Sequence, residues 1–273
     1  ASDVYKRQLN VANKLLGTNL GDDTLIVGTS GRYEFKNKGI DVFLESLNRL
    51  NRDKNLHKNV LAFINVPGWV GDPREDLQGR LKSKEKFDTP LEVPFITHWL
   101  HNMTHDQVLD MLKYLGMGNR PEDKVKVIFV PCYLDGRDGI MNKEYYDILL
   151  GQDLSVYASY YEPWGYTPLE SIAFGIPTIT TDLSGFGQWI NSRKEQGLEK
   201  SGVKVLHRGD LNFVEVSEDL ADSILALSHC GKAQRAKIGQ AATNVSLEAE
   251  WKHFIEYYTQ AFHLALKKAA LRK

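Results

Sequence analysis

The sequence predicts an α/β protein built on a doubly wound parallel sheet with helices on both faces. Two observations lead to this prediction. Short apolar runs recur along the chain, and several of the intervals between them hold segments with the apolar spacing of a helix. Strands buried on both faces read as such runs. Because these sheets bind ligands beyond the carboxyl ends of their strands, functional residues are expected directly after the runs.

Five apolar runs are the predicted strands, and four of the intervals hold a plausible helix. The runs are Leu25–Gly31, Val60–Val66, Val125–Val130, Leu154–Ala158 and Pro177–Thr181. The segment Gly39–Leu50 has helical apolar spacing and follows the first run. Residues 67–124 are polar at first and are interpreted as an insertion, with a helix near Asp106–Leu115.

A long helix is predicted near the end of the chain, at about 246–268. Its apolar residues recur at three- and four-residue steps and form a stripe that has to be buried against another surface. They are Trp251, Phe254, Ile255, Tyr258, Phe262 and Leu266.

Composition and charge indicate a globular protein and argue against several kinds of partner. The 273 residues are 42% hydrophobic, and we expect a single domain over 1–273. A formal net charge of −1 argues against nucleic acid or an anionic membrane as a partner. The sequence has no apolar run of membrane-spanning length and no signal-peptide core, so a soluble, cytoplasmic protein is expected. The two cysteines, Cys132 and Cys230, are expected to be reduced thiols.

The segment Ser159–Gly175 follows the fourth predicted strand and carries the clearest chemical signal. Thr167 is predicted to cap a helix whose first residue is Pro168 and which ends at Gly175. The free N–H groups and the positive dipole end at such an N-terminus bind anions, and Gly165 allows a diphosphate to approach the backbone closely. The phosphates of a nucleotide sugar suit this position.

Two glutamates of this segment each have two interpretations from the residues alone. Glu170 either completes a capping box with Thr167 or accepts hydrogen bonds from ribose hydroxyls. Glu162 precedes Pro163 and is therefore extended, so it is either a solvated loop charge or a carboxylate that faces a bound sugar.

Further candidates follow the first and third predicted strands. Arg32 and Lys38 bring two cations to the same sheet edge, where they would stabilise the charge of a departing diphosphate, although lysines are mostly solvated surface groups. Tyr133 and Tyr145 either sandwich a base between their rings or pack in the core.

Several cofactor motifs are absent from the sequence. It has no Asp-x-Asp pair that would hold a divalent ion on a diphosphate, no P-loop, and no Gly-x-Gly-x-x-Gly after the first strand. His98, His101 and His105 match no zinc spacing. We therefore expect no metal and no cofactor.

Five stretches resemble, in the same order, the glycogen synthases of the animal and fungal type. They are residues 30–41, Thr97–Met103, Lys124–Phe129, Tyr160–Glu170 and Asp182–Gly187. Those proteins are retaining glycosyltransferases with two facing Rossmann-like domains, the GT-B fold, and they extend an α-1,4-glucan from UDP-glucose without metal. The resemblance covers about residues 1–262. It implies that this chain is the C-terminal, nucleotide-sugar-binding domain.

The resemblance implies roles by matching position. Arg32 and Lys38 resemble the pair that neutralises the leaving diphosphate, and Glu162 resembles the glutamate that faces the donor glucose. These three are the expected catalytic residues. Glu170 resembles the glutamate that binds the ribose.

The other expected donor-binding residues follow in the same way. Tyr133 and Tyr145 resemble the aromatic residues that flank the uracil, so the resemblance favours the functional interpretation of both. Backbone donors to the phosphates would come from Gly165, Tyr166 and Thr167, and Trp164 belongs to the same motif. The implied partners are a nucleotide sugar and an α-glucan.

Three departures from the family pattern carry expectations of their own. The acceptor-side domain, which supplies the catalytic histidine, would precede Ala1. The insertion at 67–124 is shorter than the one that assembles the family's tetramers, so a homo-oligomer is possible but a tetramer is not expected. The segment His229–Gln240 stands where those enzymes carry a dense arginine cluster that senses glucose 6-phosphate, and only Lys232, Arg235 and Lys237 remain basic there. The alternatives are an ADP-glucose-dependent synthase and a non-catalytic nucleotide-sugar-binding or oligomerisation module.

Overall fold

The computed structural model describes residues 2–271 and centres on a sheet of six parallel strands in the order β5-β2-β1-β6-β7-β8. These strands are β1 Leu25–Ser30, β2 Val60–Asn65, β5 Val125–Val130, β6 Leu154–Val156, β7 Thr178–Thr181 and β8 Val203–Leu206. The chain winds outward from β1 in one direction and then from β6 in the other. The doubly wound parallel sheet is thereby confirmed, and its switch point lies between β1 and β6.

All five predicted strands are present, and three others were missed. The edge strand β8 has only four residues and includes a charged one, Lys204, so it is too short to give an apolar run. The other two, β3 Val70–Pro73 and β4 His98–Leu100, form an antiparallel pair within the insertion.

Eleven helices were assigned in the part of the chain that the structure describes. They are α1 Ser2–Leu16, α2 Ile40–Asn51, α3 Glu75–Lys82, α4 Gln107–Leu115, α5 Tyr145–Leu150, α6 Tyr166–Ala173, α7 Gly185–Asn191, α8 Leu198–Ser201, α9 Phe213–His229, α10 Lys232–Glu248 and α11 Trp251–Ala270. None of them is long and apolar enough to cross a membrane.

Both faces of the sheet are covered by apolar side chains. Residues of α2, α4 and α9 pack on one face, and residues of α1 and α5 pack on the other. The predicted stripe of α2 is fully buried, with Ile40, Phe43, Leu44, Leu47 and Leu50 each at most 1% exposed. The helical spacing read from the sequence therefore identifies the core face of this helix correctly.

The predicted long helix near the end of the chain is confirmed as α11, and a bend separates it from α10, which holds residues 246–248. Glu250 adopts an extended conformation and interrupts the helical hydrogen bonds. The expected burial of the apolar stripe is not observed, since α11 has no buried residue. Phe254 is the one half-buried residue of α11, and its ring packs against Trp164 and Trp189 at centroid distances of 5.4 and 5.9 Å.

Candidate functional site

A cleft of about 330 Å³ opens at the carboxyl edge of the sheet, beyond the ends of β1, β2 and β5. The ends of these strands and the first residues of α5 and α6 form its walls. Among the lining residues are Ser30, Asn65, Tyr133, Tyr145 and Thr167. Ligands bind at this edge and near the switch point in sheets of this kind, so the cleft is the candidate site.

The two predicted stacking tyrosines both line the cleft but differ in exposure. Tyr133 is 78% exposed, whereas Tyr145 is half-buried. The Tyr145 hydroxyl lies 2.7 Å from Ser30 Oγ, which in turn lies 3.4 Å from the Tyr157 hydroxyl. Burial, with a smaller contribution from Tyr157, raises the pKa of Tyr145 well above its usual range. Its phenol is therefore neutral, and the ring is held in a fixed position on one wall.

The series of hydrogen-bonded hydroxyl groups continues from the cleft to α6. The Tyr157 hydroxyl lies 2.8 Å from Ser171 Oγ, and Ser171 is fully buried within α6. Tyr157 and Ser30 are themselves almost completely buried. The cleft wall at Tyr145 is thus connected through hydrogen bonds to the helix whose N-terminus faces the same edge of the sheet.

Lys38 and Glu162, two of the predicted catalytic residues, form an ion pair. Lys38 lies just before α2, and Glu162 lies in the loop after β6, so the neighbouring strands β1 and β6 bring them together. The Tyr160 N–H donates to the Asn37 carbonyl at 2.7 Å and ties the same two loops together. Both charged side chains are largely shielded from solvent, which strengthens their attraction.

Arg32, the third predicted catalytic residue, lies on the exposed part of the loop after β1. Its side chain is 76% exposed and pairs with Glu34 at 3.1 Å. The two predicted cations are therefore held by different carboxylates. The positive charge of Arg32, the residue after the lining residue Gly31, is accessible to solvent, whereas that of Lys38 is shielded.

The helix after β6 begins earlier than predicted. It starts at Tyr166, and its N-cap is Gly165 with φ of 107°, so the prediction that Thr167 caps a helix starting at Pro168 is wrong. Only glycine adopts this φ readily, and this lets the chain turn into the helix before Thr167. No side chain caps this N-terminus. Its first N–H groups lack helical acceptors and remain suited to an anion.

The alternative of a capping box at Glu170 is also wrong. The Glu170 carboxylate instead accepts a hydrogen bond from the Tyr146 hydroxyl at 3.2 Å. Tyr146 stacks on Phe174, and the nearby negative charge of Glu170 raises the pKa of the Tyr146 phenol. Sequence analysis missed Tyr146, and the only signal for it was its place beside Tyr145 at the start of α5.

Two further residues of the motif differ in what they contact. The Trp164 ring packs edge-on against Phe186 and Phe254 in a cluster of aromatic residues outside the cleft. Tyr166 is 72% exposed at the first position of α6. The structure therefore gives Trp164 a packing role, while Tyr166 presents its backbone at the helix N-terminus.

Among residues 2–271, one group of three side chains has the types and spacing of metal ligands. Two of the three are held by hydrogen bonds within the protein. His98, Cys132 and Asp138 have ligand atoms within 4.8 Å of one another. The His98 Nε2–H donates to the Asp138 carbonyl at 2.7 Å, and the Asp138 carboxylate accepts three backbone N–H groups from residues 140–142. Burial lowers the pKa of His98 and raises that of Cys132 to about 12. These groups anchor the loop that carries Tyr133.

Comparison with known proteins gives one family for nearly the whole chain. A family model described as glycogen synthase matches residues 16–89 and 76–272. The chain is 32% identical over 301 residues to a glycogen [starch] synthase of Caenorhabditis elegans, covering 90% of this chain and 44% of that protein. It is 29% identical to the liver glycogen [starch] synthase of Mus musculus, covering 91% of this chain and 42% of that protein. The chain thus spans less than half the length of these curated relatives.

Solved structures support the fold. HepE of Anabaena in complex with UDP superposes with a TM-score of 0.51 at 17% identity, covering 97% of this chain and 52% of that one. Sucrose-phosphate synthase from Thermosynechococcus elongatus superposes with a TM-score of 0.50 at 17% identity, covering 92% and 47%. In both cases this chain matches about half of a larger molecule.

Proposed function

This chain belongs to the glycogen synthase family, and from that premise we propose that it is the donor-binding half of an enzyme that transfers glucose from UDP-glucose to an α-1,4-glucan. The observation that carries the proposal is the convergence of three features at one sheet edge. These are a cleft flanked by Tyr133 and Tyr145, the open N-terminus of α6, and the Lys38–Glu162 pair.

Each feature suits one part of the donor. Base stacking on Tyr133 and Tyr145 would hold the uracil, and Glu170 would accept hydrogen bonds from the ribose hydroxyls. The N–H groups at residues 165–167 would bind the diphosphate. The hydrogen bond from the Tyr146 hydroxyl would hold the Glu170 carboxylate in place for this contact.

The chemistry that we propose for the transfer step is stabilisation of the leaving diphosphate. Lys38 and Arg32 would offset the negative charge that develops there, and Glu162 would face the glucose. A divalent ion is not required in this proposal, because two cations and a helix N-terminus already meet the diphosphate. Retention of configuration and a cytoplasmic location follow from the family resemblance and are part of the proposal.

The acceptor side of the reaction is proposed to come from another domain. This chain covers 52% of HepE and 44% of the Caenorhabditis elegans relative, so each of these proteins has a further part that could supply the acceptor side. The exposed apolar residues of α11 would contact that domain. This chain on its own would therefore bind the nucleotide weakly and transfer no glucose.

Titration of the chain with UDP and with ADP, followed by ligand-observed NMR, tests the proposal. We expect a dissociation constant of about 1 mM for UDP, because half of the cleft is missing while the entropic cost of association remains. Tyr133→Ala and Tyr145→Ala should each weaken binding at least about fivefold, since base stacking contributes about 1–3 kcal/mol. Tyr114→Ala is the matched control, because Tyr114 is 86% exposed on α4.

Four results would contradict parts of the proposal. Undiminished affinity in both cleft variants would refute the stacking assignment. A clear preference for ADP would favour an ADP-glucose-dependent synthase, and binding without any activity of the full-length protein would favour a non-catalytic module. Measurable glucan extension by this chain alone would refute the proposal that it holds only half of the active site.

A further inference from the structure

Asn65 is the last residue of β2 and lies in the wall of the cleft. In the parallel register it is paired with Ser30 on β1 and with Val130 on β5. Paired residues of neighbouring parallel strands face the same side of the sheet, about 4.8 Å apart. The Asn65 side chain is thus next to Ser30, whose hydroxyl is bonded to the stacking residue Tyr145.

The carboxamide of Asn65 is buried and unpaired. The residue is 4% exposed, and neither Nδ2 nor Oδ1 has a hydrogen-bond partner. Leaving a buried donor or acceptor unsatisfied costs about 1–3 kcal/mol, so folded proteins retain few such groups. An amide that lacks partners on both atoms in the wall of a ligand cleft points to a bound group that supplies them.

Two other polar side chains of the cleft already have hydrogen-bond partners. The Ser30 hydroxyl is bonded to that of Tyr145, and the Asp135 carboxylate accepts the N–H of Arg137 at 2.9 Å. Asn65 is the buried lining residue whose side-chain donor and acceptor both lack partners.

We propose that the Asn65 carboxamide recognises the edge of the donor's nucleobase. The inference rests on the donor site proposed above. A phosphate group would offer acceptors only and would leave Oδ1 unpaired. Uracil presents the O4 acceptor beside the N3–H donor, so one planar edge satisfies Nδ2 and Oδ1 together. A base held between Tyr133 and Tyr145 would bring that edge to the cleft wall. Because both amide atoms lie just beneath the surface, contact requires rotation of the Asn65 side chain.

The test combines a variant of the protein with a variant of the ligand. Asn65→Leu replaces the amide with an apolar group of similar size, and N3-methyl-UDP removes the donor from the base. The matched control is Thr24→Val. Thr24 Oγ1 is also buried without a partner, but the residue precedes β1 at the opposite edge of the sheet. Ligand-observed NMR gives the affinities, and thermal unfolding gives the stability of each variant.

We expect Asn65→Leu to fold with unchanged or higher stability and to bind UDP about tenfold more weakly, which corresponds to about 1.4 kcal/mol. The wild-type protein should bind N3-methyl-UDP more weakly than UDP by a similar factor, a measurement that does not depend on any variant. Asn65→Leu should weaken binding of N3-methyl-UDP less than it weakens binding of UDP. Thr24→Val should leave both affinities unchanged.

Two outcomes would overturn the inference while the donor site stands. One is equal UDP affinity in wild type and Asn65→Leu, which would mean that water satisfies the amide. The other is an equal loss of affinity for UDP and for N3-methyl-UDP in the variant, which would place the contact at the ribose or the phosphate. Absence of UDP binding by the wild-type protein would overturn the proposed function and this inference with it.

Discussion

Replacing Gly39 with Ala should destabilise the protein strongly and disturb the candidate site. Gly39 precedes α2 with φ of 66°, in the left-handed region. A Cβ added here would overlap the carbonyl group of Ala158 and lie 2.7 Å from Nη1 of Arg208. Ala158 follows β6, so this contact brings the loop after β1 against the loop that leads to Glu162.

Two contributions set the size of the effect. A left-handed conformation costs a residue with a Cβ about 1–2 kcal/mol. Overpacking against a rigid neighbour adds about 1–3 kcal/mol. The neighbour is rigid here because the Ala158 carbonyl is backbone and accepts a hydrogen bond from the buried Arg208 side chain. Gly39→Ala should therefore lower the free energy of unfolding by about 2–5 kcal/mol.

Gly116→Ala separates the two contributions. Gly116 ends α4 at almost the same φ, 67°, but nothing lies within 4 Å of an added Cβ. Only the conformational cost of about 1–2 kcal/mol applies there. Chemical denaturation of both variants measures the difference, and UDP titration reports on the site. Equal destabilisation by the two substitutions would refute the steric argument at Gly39.

Three further predictions concern reactivity. In the full-length enzyme, Lys38→Ala or Arg32→Ala should lower kcat far more than it raises KM for the donor, because the charge stabilisation grows as the diphosphate leaves. A change in KM alone would contradict this role. Glucose 6-phosphate should not activate that enzyme, since few basic residues remain in the segment and Arg235 already pairs with Asp153 at 3.3 Å; a several-fold rise in activity would overturn this prediction. Burial raises the pKa of Cys132 to about 12, so its alkylation by iodoacetamide at pH 8 should be about a thousandfold slower in the folded than in the denatured protein. Mass spectrometry measures both rates, and rapid modification of the folded protein would show that the thiol is accessible and ionised.

Five of the six strands of the sheet could be predicted from the sequence, because strands that are buried on both faces are strongly apolar. The approach of Lys38 to Glu162 also follows from topology, since each lies after one of two strands that meet at the switch point. Strand β8 gave no such signal, because an edge strand with an ion-paired lysine needs few apolar residues.

Other features depend on contacts that no local pattern encodes. The hydrogen bond from Tyr146 to Glu170 joins two helices, and the unpaired amide of Asn65 is recognisable only once every neighbour is known. The bend before α11 has no glycine or proline to mark it. The start of α6 was misplaced because the sequence suggested a threonine cap, whereas a glycine in a left-handed conformation makes the turn.

The strand order also has a consequence for synthesis on the ribosome. Strand β1 pairs with β2 soon after both have emerged, but its other edge pairs with β6, whose first residue, Leu154, is far along the chain. At about 5–20 residues per second, the β1 edge remains open for on the order of ten seconds while the insertion, β5 and α5 are made. An unpaired strand edge that is apolar over much of its length, as in β1, is prone to join other chains. The nascent chain is therefore most exposed to aggregation during this interval, and a holdase chaperone that binds before Leu154 emerges would protect it.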